Sequence, residues 1–107
     1  MKAKSELFKG KKFYIELQHS YNQKLDVMNA YNKQDNSILQ YNHKQGALFF
    51  WSSDNIDGDP FEYNFNETLT GNLAKFKSFL IEWGEEPSIV QKALNKAIDI
   101  IVKTQTF

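Results

Sequence analysis

Ala47–Leu48–Phe49–Phe50–Trp51 is the most apolar run in the first two thirds of the chain, and it carries large side chains at both strand parities. Successive residues of a strand point to opposite faces, so Leu48 and Phe50 line one side and Phe49 and Trp51 the other. A strand apolar on both sides belongs in the middle of a sheet whose two faces are both at least partly covered. The run therefore predicts a central strand over residues 47–52. The preceding chain should supply its neighbours, and the following chain one more strand and the covering helices.

Upstream, Phe13, Ile15 and Leu17 alternate with Tyr14, Glu16 and Gln18, the pattern of a half-buried strand. Ser20–Tyr21–Asn22–Gln23 is turn chemistry, and a second strand runs from Leu25 to about Tyr31. Asn32–Lys33–Gln34–Asp35–Asn36 is too rich in Asn and Asp to continue it. Ile38 to Asn42 makes a third strand, closed by a tight turn at Lys44–Gln45–Gly46, where Gly46 is free to take positive φ. Residues 1–12 read as a loosely ordered basic lead-in.

Downstream, Ser52 to Pro60 is the strongest turn signal in the chain. Asp57–Gly58 suits a turn needing positive φ, and Pro60 cannot donate to a ladder, so it bounds a fifth strand through Phe61, Tyr63 and Phe65. The period then changes from 2 to 3.6. Leu69, Leu73, Phe76, Leu80 and Trp83 fall on one helical stripe widened by Phe79, and Gly84 stands where a C-terminal cap is expected. Pro87 suits the first position of a second helix, whose apolar set is Val90, Ala93, Leu94, Ala97, Ile98, Ile101 and Val102. The predicted architecture is one α+β domain over 1–107. It is a five-stranded antiparallel meander followed by two C-terminal helices packed on one sheet face.

A chain of 107 residues, 41% hydrophobic and 24% charged, can bury a core without disulfides or a metal. Zero Cys excludes a disulfide scaffold, a thiolate metal site and a cysteine nucleophile together. No apolar run approaches the roughly 20 residues of a membrane span, and the first residues hold no signal-type apolar stretch. A cytoplasmic protein with no membrane partner is the expectation.

All 13 basic residues are Lys. Arg is the usual reader of phosphate and guanine, so nucleic acid is not an expected partner. The charges are also segregated. Residues 1–12 set Lys2, Lys4, Lys9, Lys11 and Lys12 against Glu6 alone, while residues 54–67 hold Asp54, Asp57, Asp59, Glu62 and Glu67 with no base. Glu82, Glu85 and Glu86 follow. Such an acidic patch suits a basic partner.

Nothing in the chain assembles into a catalytic set. His19 and His43 sit at strand ends; with Asp26 or Glu16 they would build an acid–base or metal pair only if their strands were neighbours. Asp54, Asp57, Asp59 and Glu62 fail the calcium-loop spacing, because Glu62 follows Gly58 too soon and Ile56 occupies a ligand position. No Gly-x-Ser-x-Gly or phosphate loop is present. The reading is a non-enzyme with neither metal nor cofactor. The strand tyrosines Tyr14, Tyr21, Tyr31, Tyr41 and Tyr63 keep open an alternative, a carbohydrate- or single-stranded-nucleic-acid-binding module.

Two resemblances bear on function. Lys24–Leu25–Asp26–Val27 through Asn36 to Tyr41 resembles one subrepeat of a ricin-type β-trefoil lectin, without its Gln-x-Trp ending or its threefold repetition. That resemblance would make Asp26 and Asn42 sugar contacts. The chain as a whole is similar in kind to small bacterial immunity proteins of the contact-dependent growth inhibition type. The likeness lies in its short α+β layout, its Lys/Asn/Phe/Ile-rich composition and its concentrated acidic surface. This resemblance implies a protein that binds and neutralises a cognate toxin, typically a basic nuclease domain, by occluding its active site. The blocking residues would be Asp54, Asp57, Asp59, Glu62, Glu82, Glu85 and Glu86. A phage-encoded inhibitor of a host defence nuclease would use the same physics.

Overall fold

The computed structural model describes residues 4–19, 25–52, 57–63 and 68–105. Six strands pair in chain order into one antiparallel sheet: β1 (Lys4–Lys9), β2 (Tyr14–His19), β3 (Leu25–Tyr31), β4 (Ser37–Asn42), β5 (Ala47–Phe50) and β6 (Phe61–Tyr63). Two helices follow, α1 (Leu69–Glu82) and α2 (Pro87–Gln105), and both lie on one face of the sheet. The chain is an α+β domain, a meander with two C-terminal helices.

The lead-in expected at the N-terminus is a strand instead. β1 pairs with β2 along its whole length, placing Phe8 opposite Ile15 and Glu6 opposite Leu17. Phe8 packs against the core, while Leu7 and Lys9 stay exposed. Lysines along an edge strand are what water requires there, and their density disguises the alternation beneath them. The apolar run at 47–50 is likewise not central. β5 is next to the β6 edge, and β3 and β4 hold the middle. Its double-sided apolarity reflects two different neighbourhoods: Leu48 and Phe50 face the helices, while Phe49 stands between Gln40 and Glu62 on the other face.

The register separates the faces cleanly. Phe8, Ile15, Ala30, Leu39, Phe50 and Phe61 lie opposite one another across the six strands, as do Leu17, Met28, Tyr41 and Leu48 one row along. These rows meet Leu73, Phe76, Leu80, Val90, Ala93, Leu94, Ala97 and Ile101 in a single core. A bulge at Ala30/Tyr31 inserts Ile38, so consecutive Ile38 and Leu39 both enter that core. The opposite face presents Leu7, Glu16, Asn29, Gln40, Phe49 and Glu62 in one row, and no described element covers it.

Helix ends follow their local chemistry. The Thr68 side chain accepts from Gly71 N at 3.1 Å and starts α1. Gly84 N donates to Ile81 O at 3.0 Å and Glu85 N to Leu80 O at 2.9 Å, with Gly84 at φ 104°, a Schellman close that only a residue without Cβ makes cheaply. Pro87 opens α2 as its spacing predicts. Asn72, buried in α1, donates to Gly46 O at 2.8 Å and fixes α1 to the β4–β5 turn. The predicted α2 stripe needs one correction: Ile98 and Val102 are exposed, and Ile100 is buried in their place. Positions 93, 97, 100 and 101 follow one side of the helix, with 98 and 102 turned off it. No described helix is long and apolar enough to cross a membrane.

Candidate functional site

Trp51, just past β5, organises the acidic end of the sheet. Its backbone N–H donates to Ile38 O at 3.1 Å, and its indole Nε1 donates to Gly58 O at 2.9 Å. That second bond pins the turn before β6, so Asp57 and Asp59, on either side of Gly58, are held at the sheet edge rather than left to swing. Asp57, Asp59, Pro60, Phe61 and Glu62 are all exposed. The positive φ expected at Asp57–Gly58 is not seen: the described residues with positive φ are Asp35, Gly46 and Gly84.

Phe61 is 49% exposed, far more than a phenyl ring in water favours. Its inner side rests on Phe50 at 5.4 Å between ring centroids. From there the aromatic line continues to Phe79 at 5.9 Å, to Trp83 at 5.4 Å and to Phe13 at 6.3 Å. Beside this line opens a groove of about 350 Å³, lined by Phe13, Asn32, Ile38, Phe50, Trp51 and Trp83. The edge thus combines a half-exposed aromatic ring backed by rigid neighbours with three exposed carboxylates.

The carboxylates expected to act together divide into two groups. Asp54 lies outside the described residues. Asp57, Asp59 and Glu62 are brought together on β6 and its approach. Glu82 is exposed at the C-terminal end of α1, beside Trp83, where the helix dipole disfavours a negative charge and no base stands in the last turn. Glu85 does not join them. It is 4% exposed, and its carboxylate is engaged inside the molecule. Glu86 is half-buried and pairs with Lys11 at 2.7 Å.

Glu85 holds the β1–β2 turn. Oε1 accepts from Lys11 N at 2.8 Å and Glu86 N at 2.8 Å, while Oε2 accepts from Lys12 N at 3.1 Å and Phe13 N at 2.8 Å. Burial pushes this carboxyl up, but the four backbone N–H groups outweigh it and hold it below its ordinary 4.5. Sequence reasoning missed this role because the turn amides lie 72 to 74 positions away. The only local signal was a Glu two residues before a helix-opening Pro.

The helix-free face has its own network. Gln18 Nε2 and the Tyr31 hydroxyl both donate to Glu16 Oε1, at 2.8 and 3.1 Å, and Gln40 Nε2 donates to Asn29 Oδ1 at 2.8 Å. The Tyr14 hydroxyl donates to Asp35 Oδ1 at 2.7 Å, and the Tyr14 and Tyr31 rings stack at 4.9 Å. The bond to Asp35 pushes Tyr14 up to about 12, and burial followed by the Glu16 charge pushes Tyr31 up to about 12. A spectrophotometric titration should therefore show two tyrosines ionising far above the usual 10, and Asp35→Asn should return Tyr14 toward that value. An unshifted titration would remove these bonds. Carboxylates beside the ring stack suit a phosphate backbone poorly.

The two histidines do not converge, because β3 lies between their strands. His19 Nε2 sits 3.0 Å from Glu6 Oε2, and His43 Nδ1 lies 2.8 Å from the Tyr41 hydroxyl. Burial lowers His43, against the opposing pull of Asp26. Among the described residues no group of three His, Asp or Glu could hold a metal ion. Comparison of the chain with protein-family models, curated proteins and solved structures gave no match.

Proposed function

We propose that this is a non-enzymatic immunity protein that binds a basic bacterial toxin domain, most simply a nuclease, and occludes its active site through the β6 edge. The observation that carries the reading is Phe61, half exposed between Asp57, Asp59 and Glu62 on an edge pinned by the Trp51–Gly58 bond. Interface energy concentrates in a few aromatic anchors ringed by polar contacts, while rim charges speed encounter with an oppositely charged partner. Carboxylates at this edge would stand where a nuclease receives substrate phosphates. The neighbouring groove can accept an apolar side chain of the partner. A phage inhibitor of a host nuclease would dock in the same way, and only the partner's identity separates the two.

The test is capture of partners from lysate of the source organism, with the adjacent reading frames co-expressed. Two baits are compared, the wild-type chain and Asp57→Lys/Asp59→Lys/Glu62→Lys. The proposal expects a stoichiometric basic toxin or nuclease domain on the first bait and its loss from the second. Equal capture by both baits would remove the acidic edge as the site. No basic partner on either bait would overturn the immunity reading.

A further inference from the structure

The sheet ends in two unlike edges. β1 carries exposed Lys9 and ends in a turn with exposed Lys12 and with Lys11, which is paired to Glu86, whereas β6 follows exposed Asp57 and Asp59 and carries exposed Glu62. Among the described residues no further strand pairs with either edge. An unpaired edge is a template for another strand, and lysines placed there ordinarily keep sheets apart. In this chain the guard is selective. Setting β1 against β1, or β6 against β6, brings like charges together, while setting β6 against β1 brings opposite charges together.

Direction and register agree with the charges. Strands alternate through the meander, so β1 and β6 run oppositely, and β6 laid beside β1 of a second copy continues the antiparallel order. The row Phe8, Ile15, Ala30, Leu39, Phe50, Phe61 crosses the whole sheet. Extending it by one strand sets Phe61 opposite Phe8 of the second copy. Counting along the antiparallel strands from that pair sets Asp59 level with Gly10, where β1 turns back toward β2 through Lys11 and Lys12, so the acidic approach to β6 meets that lysine-bearing turn. Glu62 then falls opposite Leu7 and diagonal to Lys9 on the same face, within reach of a long side chain. Half-exposed Phe61 gains an aromatic neighbour in Phe8 of the second copy.

We propose that copies of this chain associate head to tail, the acidic β6 edge of one on the basic β1 edge of the next. The contact is heterologous and does not close on itself as a two-fold dimer does, so assembly grows with concentration, and sheet twist winds it. The proposal needs no other protein and is tested without one.

Sedimentation velocity on the purified chain, from low micromolar to about 1 mM and at low ionic strength, reads the association directly. The weight-average mass should climb without stopping at a dimer, and return to monomer in about 1 M salt, where charges are screened beyond about 3 Å. Lys9→Glu/Lys12→Glu makes both edges acidic, and Asp57→Lys/Glu62→Lys makes both basic. Each variant alone should associate about tenfold more weakly or not at all. Mixed in equal amounts they should associate again, since every edge contact is then oppositely charged, and this recovery also shows that both variants are folded. A wild-type chain that stays monomeric throughout overturns the proposal. So does a dimer plateau unaffected by either variant, or a mixture that stays monomeric where the wild type associates.

Discussion

Glu85→Ala is expected to destabilise the fold by about 3 kcal/mol or more, the largest loss of any single carboxylate among the described residues. Its four backbone donors belong to residues 11, 12, 13 and 86, and three of them form the turn that joins β1 to β2. Deleting the carboxylate strips a partly buried turn of the acceptor for three of its amides. For a domain of this size the loss corresponds to a melting temperature lower by roughly 10–20 °C. Glu85→Gln keeps the shape but supplies one acceptor oxygen instead of two and no charge, so it should recover only part of the loss. A wild-type-like unfolding midpoint for Glu85→Ala in urea would refute the clamp.

The pH dependence follows from the depressed carboxyl. Its folded value lies below the unfolded 4.5, so its stabilisation is fully present above 4.5 and is lost as pH falls through the lower folded value. The stability gap between wild type and Glu85→Gln should therefore be widest at neutral pH and shrink in acid. Gly10 belongs to the same device: a Cβ there would overlap the Glu85 carboxylate, which four hydrogen bonds prevent from moving aside.

Phe61→Ala is expected to weaken partner binding by about 2 kcal/mol or more, roughly thirtyfold, mostly through faster dissociation. Its effect on the fold should stay near 1 kcal/mol, because the ring is half exposed and rests chiefly on Phe50. Reversing Asp57, Asp59 and Glu62 should act differently, slowing association about 10- to 100-fold at low salt with a smaller change in dissociation. The two kinds of variant thus separate the anchor from the steering charges. If Phe61→Ala left the dissociation rate unchanged while the captured partner stayed bound, the aromatic anchor would lie elsewhere.

Much of the fold was legible because each element carried its own period. Strand alternation at 13–18, 25–31 and 38–42, the start of the strand expected through Phe61, Tyr63 and Phe65, and the helical stripe from Leu69 to Trp83 all reappear in the structure within a residue or two, while Phe65 lies outside the described residues. β1 was not legible, since an edge strand must be rich in lysine and then resembles a tail. The position of Leu48–Phe50 in the sheet was not legible either, because apolarity on both faces reports what covers a strand and not how many strands flank it. The site was half legible. Asp57, Asp59 and Glu62 were marked by composition alone, but the division between them and Glu85 depends on a turn more than 70 residues distant. Phe61 passed for an ordinary strand residue, since its alternation with Glu62 cannot distinguish a core face from a half-open edge.

Amide hydrogen exchange of the chain, free and saturated with its captured partner, shows whether the β6 edge is the binding surface. Bound partner should protect residues 57–63 and the adjoining Trp51, and leave the Glu16–Asn29–Gln40 face unchanged. Protection confined to that polar face, with residues 57–63 exchanging as in the free protein, would contradict it.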